Sequence, residues 1–146
     1  MKIVIVSGGF DPVHVGHVLL FEEARALGDR LWVIMNNDNW LMVKKGFVFM
    51  PEGERKYILS MLKPVNQVMC SFHQPNTKRM SVENEIETLV DINPKHTFIF
   101  ANGGDRKEDN IPEYKMCDML GVEMVFGVGG DKIQSSSELV KKAVGK

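Results

Sequence analysis

The sequence predicts an α/β protein built on one doubly wound, five-stranded parallel sheet. Three observations lead there. Short continuous apolar runs recur along the 146 residues, each of a length that suits a strand buried on both faces. Segments with helical spacing or helix-end residues separate them. Glycine-bearing turns follow the first, fourth and fifth runs, at the strand ends where open α/β sheets bind their ligands. Five alternations of strand and helix make right-handed crossovers and parallel pairing the expected topology.

In chain order, residues 3–6 (Ile-Val-Ile-Val) form the first strand, and residues 18–24 read as the first helix, with Gly28 placed just past its end. Residues 31–35 are the second strand. It runs into Asn36-Asn37-Asp38, a polar turn in which Asp38 either faces a ligand or serves as a cap. Lys44-Lys45-Gly46 follow in a stretch without clear periodicity. Pro51 suits the first position of the next helix, where Glu52 and Glu54 complement the dipole. Residues 65–71 are a third strand, 73–79 a loop, and 81–90 an amphipathic helix with an imperfect capping box from Ser81 to Asn84. Residues 97–101 form the fourth strand, 112–120 a helix closed by Gly121, and 123–126 the fifth strand. Ser135 and Glu138 fit a capping box that opens the last helix, residues 139–143.

Composition bounds the function. Apolar residues make up 44% and charged residues 25%, as in soluble globular proteins, which argues against a fibre or a disordered tail. A net charge of −1 gives no basic bias toward nucleic acid or an anionic membrane, so the expected partner is a small molecule. Cys70 and Cys117 are too far apart in sequence for a C-x-x-C pair and suggest no disulfide framework. No run approaches the roughly eighteen apolar residues of a membrane span, and residues 3–6 are too short for a signal-peptide core. A cytoplasmic protein of one domain, 1–146, is expected, with a homodimer compatible.

The chemistry concentrates at Ser7-Gly8-Gly9-Phe10-Asp11-Pro12-Val13-His14-Val15-Gly16-His17. Strand, glycine turn and helix N-terminus make an anion site. Gly8 and Gly9 remove Cβ atoms that would hold a phosphate off the backbone, and Gly16 suits close approach of a ligand. His14 and His17, three apart in one helical turn, project toward the same spot and can donate hydrogen bonds to phosphate oxygens. Two surface histidines would be the bland reading of a bare H-x-x-H. At the other end, Ser135, Ser136 and Ser137 beside exposed N–H groups make a second phosphate-binding helix end. There is no G-x-x-x-x-G-K-[ST], and no G-x-G-x-x-G follows the first strand.

The string Gly-Phe-Asp-Pro with His14-x-Gly16-His17 resembles the first motif of the cytidylyltransferase-like nucleotidyltransferases, a Rossmann-like superfamily. In layout the chain is most similar to members that cytidylylate glycerol 3-phosphate or adenylylate heptose 1-phosphate. The resemblance implies further roles. Gly8, Gly9, Phe10, Asp11 and Gly16 would contact the nucleotide, as would Gly104 and Asp105, which match a G-D pair on the fourth strand's loop. Lys44 falls where the family has a phosphate-binding lysine, and Arg55 in Glu54-Arg55-Lys56 matches an active-site arginine. Residues 134–137 resemble the closing I-S-T-T motif. Relatives often carry an arginine in the loop before it. Lys132 is the cation available here and is expected to take over part of that work as a point charge.

The implied reaction moves CMP or AMP from a nucleoside triphosphate to a phosphorylated polyol or sugar and releases pyrophosphate. Mg²⁺ is expected as the triphosphate's counter-ion, with no metal held by the protein alone. Asp11-Pro12 is more typical of relatives that adenylylate nicotinate mononucleotide or phosphopantetheine, so an adenylyltransferase of cofactor synthesis, with FMN as a further acceptor, is the alternative. A non-catalytic nucleotide sensor also fits. A metal site built from His14, His17 and Asp11 lacks a full ligand set.

Overall fold

The computed structural model describes residues 1–104, 111–130 and 135–145. Strands β1 (Lys2–Gly8), β2 (Arg30–Met35), β3 (Gln67–Cys70), β4 (Thr97–Gly103) and β5 (Glu123–Val128) pair in parallel in the order β3-β2-β1-β4-β5. Helices α1 (Val15–Arg25), α2 (Asp38–Lys45), α3 (Glu52–Ser60), α4 (Glu83–Ile92), α5 (Tyr114–Leu120) and α6 (Ser136–Val144) connect and cover them. The predicted doubly wound, Rossmann-like sheet is therefore present.

Both faces of β1 are buried, which is why its sequence reads as an unbroken apolar run. Val4 and Val6 join one cluster with Phe21, Leu31, Val33 and Leu59. Ile3 and Ile5 join the other with Ile86, Leu89, Phe98 and Phe100. The strand order reverses beside β1: the chain runs outward through β2 to β3, then crosses to β4 and β5. That reversal opens a crevice at the carboxyl ends of β1 and β4. A register shift between Ala101 and Gly103 in β4 lies at the same end.

One helix departs from the sequence expectation. α2 occupies the stretch that has no apolar period, because only Leu41 of its eight residues is buried. Its ends define it. Asn37 caps the start by accepting the N–H of Trp40 at 3.0 Å, and Gly46 closes it in the left-handed conformation, φ 81°. Pro51 is the cap residue of α3 and not its first helical residue. α4 starts after Val82 without a side-chain cap, so the expected box from Ser81 is absent.

Ser81 is used differently. Its carbonyl accepts hydrogen bonds from His73 Nε2 at 2.8 Å and Arg79 Nη1 at 2.6 Å. A carbonyl only accepts, so Nε2 carries the ring proton, and Nδ1 accepts from the Ser71 hydroxyl at 2.8 Å. Ser71 Oγ in turn receives the N–H of Asn37 at 2.9 Å. The His73 ring is buried, and burial lowers its pKa from 6.5; Arg79 pushes the same way, while the Ser81 carbonyl and Glu85 oppose.

A depressed histidine pKa has a definite sign. Between the folded pKa and 6.5 the unfolded chain binds more protons than the native state, so stability is intact above 6.5 and declines as pH falls through that window. Urea midpoints should therefore drop between pH 7.5 and pH 5.5. In His73→Gln the midpoint should be lower throughout, and that histidine-linked decline should disappear.

Candidate active site

The loop leaving β1 is shaped by rings as much as by glycines. Phe10 takes a left-handed backbone, φ 53°, and its ring folds back over Gly8, where a Cβ would sit 2.9 Å from it. A Cβ on Gly9 would meet the Trp40 ring at 3.1 Å and Leu41 at 3.2 Å. The missing Cβ atoms of these glycines make room for the chain's own side chains, while Gly9 and Gly8 also line cavities. The Phe10 ring stands edge-on to His17, centroids 4.9 Å apart, and to Phe21 at 5.4 Å.

His14 and His17 form the start of α1. His14 is the N-cap and His17 the third helical residue, so His14 is not itself in the first turn. His14 Nδ1 accepts the N–H of Gly16 at 3.1 Å, and His17 Nδ1 accepts the N–H of His14 at 3.2 Å. The two rings stack with centroids 3.7 Å apart and planes 21° from parallel. Because both Nδ1 atoms accept backbone N–H groups, each neutral ring carries its proton on Nε2. The pair thus presents two donors of fixed tautomer at the crevice.

The crevice is a cavity of about 380 Å³. His14, Gly16, His17, Gly9 and Phe10 line one side, Asn102, Gly103 and Gly104 lie at the end of β4, and Ser135, Ser136 and Ser137 bring in the start of α6. Ser136 Oγ donates to the Pro12 carbonyl at 2.7 Å, which clasps α6 to the histidine loop and commits that hydroxyl's proton. Gly129, φ 85°, runs so close to α1 that a Cβ would sit 3.1 Å from Leu20 Cα. The α6 N-terminus and the paired imidazoles therefore face one space, suited to a polyanion.

Other predicted residues fall elsewhere. Asp11 is fully buried and does not line this cavity; its carboxylate accepts the N–H groups of Phe49 and Met50 at 2.7 and 2.5 Å. It braces the loop. Arg55 is also fully buried, donating through Nε to Met50 O, through Nη1 to Gly9 O and Asn36 O, and through Nη2 to Asp38 at 2.6 Å. It does not line the cavity, so its place is beneath the site. Lys44 and Gly8 line a second cavity of about 340 Å³, while the neighbouring Lys45 lines the first and approaches Asp11 O at 3.4 Å. Asp105 and Lys132 lie outside the described residues.

The cavity-lining residues that sequence reasoning did not single out as site residues include Lys45, Trp40, Asn36 and Asn102. Successive helical residues point about 100° apart, so recognising α2 would have sent Lys44 and Lys45 in different directions. Asn37 and Gly46, a cap residue and a helix-ending glycine at helix spacing, were the available signal. Asn36 Oδ1 and Asn102 Oδ1 are buried and accept no hydrogen bond among the described residues. Each costs on the order of 1–3 kcal/mol while unpaired. Neither cysteine supplies a nucleophile: burial, with Glu52 beside it, pushes Cys70 up to about 11, and burial pushes Cys117 up to about 12.

A family model described as cytidylyltransferase-like matches residues 5–142. The chain is 33% identical over 132 residues to the bifunctional protein HldE of Pasteurella multocida, covering 89% of this chain and 24% of that one. It thus spans about a quarter of the length of that bifunctional relative. It is 32% identical to the glycerol-3-phosphate cytidylyltransferase of Bacillus subtilis, over 92% of this chain and 95% of the relative. It is also 31% identical to the FAD synthase of Aciduliprofundum boonei, over 83% and 73% respectively.

Proposed function

The chain belongs to the cytidylyltransferase-like family, and from that premise we propose that it transfers CMP or AMP from a nucleoside triphosphate to a small phosphorylated polyol or sugar. An acceptor phosphate oxygen forms the new bond to the α-phosphorus. The bond from that phosphorus to the α,β-bridging oxygen breaks, and its electron pair leaves with pyrophosphate. The observation that carries this reading is the His14–His17 stack of fixed tautomer facing the α6 N-terminus across one cavity. Phosphoryl chemistry of this kind needs little covalent help from protein, so positioning and charge stabilisation dominate.

His14 and His17 would donate from Nε2 to the triphosphate as charge shifts toward the leaving group. Ser135 and Ser137, with Ser136 through its backbone N–H and the other first N–H groups of α6, would hold phosphates, and Lys45, lining the same cavity, would supply positive charge. Gly104 with Asp105 would hold the nucleoside, and Lys132 would add a point charge. Mg²⁺ would enter as the triphosphate's counter-ion and offset its charge. On this reading its ligands would be phosphate oxygens and water. A cytoplasmic setting is part of this reading: both cysteines are free, Cys117 buried and Cys70 partly so, and no described helix is long and apolar enough to cross a membrane.

The test is pyrophosphate release, crossing CTP, ATP, UTP and GTP with glycerol 3-phosphate, sugar 1-phosphates, FMN and nicotinate mononucleotide. Release is expected only when CTP or ATP meets a polyol or sugar phosphate. Release dependent on FMN would move the protein to the acceptor class of its flavin relative, and no acceptor-dependent release at all would leave a sensor. Lys45→Ala should raise triphosphate KM about tenfold, the order of one charge-assisted contact, with acceptor KM little changed. Steady-state kinetics with each substrate varied in turn would check it.

A further inference from the structure

Between β3 and α4, residues 71–82 lie as a strap against the start of α2. The helix holds them with side-chain donors: Asn37 Nδ2 and Asn39 Nδ2 both donate to the His73 carbonyl at 2.9 Å, and Trp40 Nε1 donates to the Met80 carbonyl at 2.8 Å. Trp40 in turn lines both cavities, and its ring packs where Gly9 has no Cβ. The strap therefore fixes the one indole that the two spaces share.

One buried ring pins the strap. His73 is only 2% exposed and ties the strap's two ends together, accepting the Ser71 hydroxyl at Nδ1 and donating from Nε2 to the Ser81 carbonyl. Ser71 Oγ also receives the Asn37 N–H, so the chain of hydrogen bonds reaches the N-cap of α2. This chain suits a neutral ring. A proton on Nδ1 turns that atom into a donor, and the Ser71 hydroxyl must then point its hydrogen away and lose its acceptor. Two charged groups act on the ring: Arg79 of the strap, which donates to the same Ser81 carbonyl at 2.6 Å, and Glu85 of α4. Glu85 already accepts from Arg79 at 2.7 and 3.1 Å and from the Phe72 N–H at 3.0 Å. From α2 the strap meets the neutral amides of Asn37 and Asn39, and Glu113, the cap residue of α5, accepts the Val82 N–H at 2.9 Å. A charged His73 would thus have to share Glu85 with Arg79.

We infer that residues 71–82 are an acid-sensitive strap: protonation of His73 releases it from Ser71 and α2 and lets Trp40 shift between the two cavities while the sheet stays folded. His73 is a positioning residue in this device, acting on the site through Trp40. Burial keeps the ring neutral at pH 7 and sets its titration below 6.5, so the strap is closed at neutral pH and opens as pH falls. The device needs no substrate, and it stands or falls apart from nucleotidyl transfer.

Trp32 and Trp40 are the two tryptophans of the chain, and Trp32 stands edge-on to His96, so Trp32→Phe isolates the Trp40 emission from that histidine. In this background, fluorescence followed from about pH 8 to about pH 5 should show a step with its midpoint below 6.5, while far-UV circular dichroism stays constant. Adding His73→Gln should abolish the step. Ser71→Ala should instead move it to higher pH, because the neutral ring loses the hydroxyl that favours it. The absence of a step, a step unmoved by His73→Gln or by Ser71→Ala, or a step that coincides with loss of the far-UV signal would overturn the inference. Hydrogen exchange in the unaltered protein decides even if a variant does not fold. Corrected for intrinsic rates, protection in residues 71–82 should fall on acidification by about tenfold for each pKa unit that separates the folded ring from 6.5, with β1 and β4 still protected. Protection that stays constant in the strap, or falls equally in the strap and the sheet, would overturn it as well.

Discussion

Arg55→Met should lower the free energy of unfolding by about 3–5 kcal/mol, the cost of removing one partner from a buried charge network. The arginine joins four segments that are far apart in sequence: the loop after β1 through Gly9 O, the end of β2 through Asn36 O, the start of α2 through Asp38, and the segment before α3 through Met50 O. Its side chain is wholly buried, whereas that of Asp38 is 34% exposed. Asp38 can turn to water when the arginine is lost, but the carbonyls have less access to it. Arg55→Lys should fail almost as badly, since one ammonium cannot reproduce a planar fork aimed at four oxygens. Urea unfolding should show a lower midpoint with the slope unchanged. A shift below about 0.5 kcal/mol, typical of surface charge, accompanied by lost turnover would instead return Arg55 to direct contact with substrate.

His17→Ala should lower kcat by roughly a hundredfold or more while changing triphosphate KM much less, because its Nε2–H is proposed to act mainly on charge that develops in the transition state. The variant also loses an acceptor at the start of α1, where His17 Nδ1 receives the His14 N–H. A lost cap costs about 1 kcal/mol, too little to unfold the chain and easily separated from turnover by circular dichroism. Near-normal kcat in a natively folded variant would remove His17 from the mechanism.

The sheet was legible because parallel strands buried on both faces must be continuously apolar, and the runs at β1, β2 and β4 are. α2 was not legible by period, since a helix that buries only Leu41 has no apolar stripe to detect. The histidine pair was readable from its spacing and setting, but its tautomer was not, because that depends on which backbone N–H groups meet Nδ1. Arg55 and Asp11 read as site residues from their motifs. Their burial depends on partners contributed by distant segments, which no local pattern discloses. Asn36 carried no signal at all: a polar residue at a strand end reads as a turn until its oxygen is found without a partner.

The most direct test of nucleotidyl transfer is mass spectrometry of the product formed from CTP or ATP and an acceptor whose phosphate carries 18O. Attack by that phosphate on the α-phosphorus predicts a nucleoside diphosphate-linked product that retains the label, with unlabelled pyrophosphate released in equal amount. Unlabelled nucleoside monophosphate formed whether or not acceptor is present would mean hydrolysis by water, and would contradict the account.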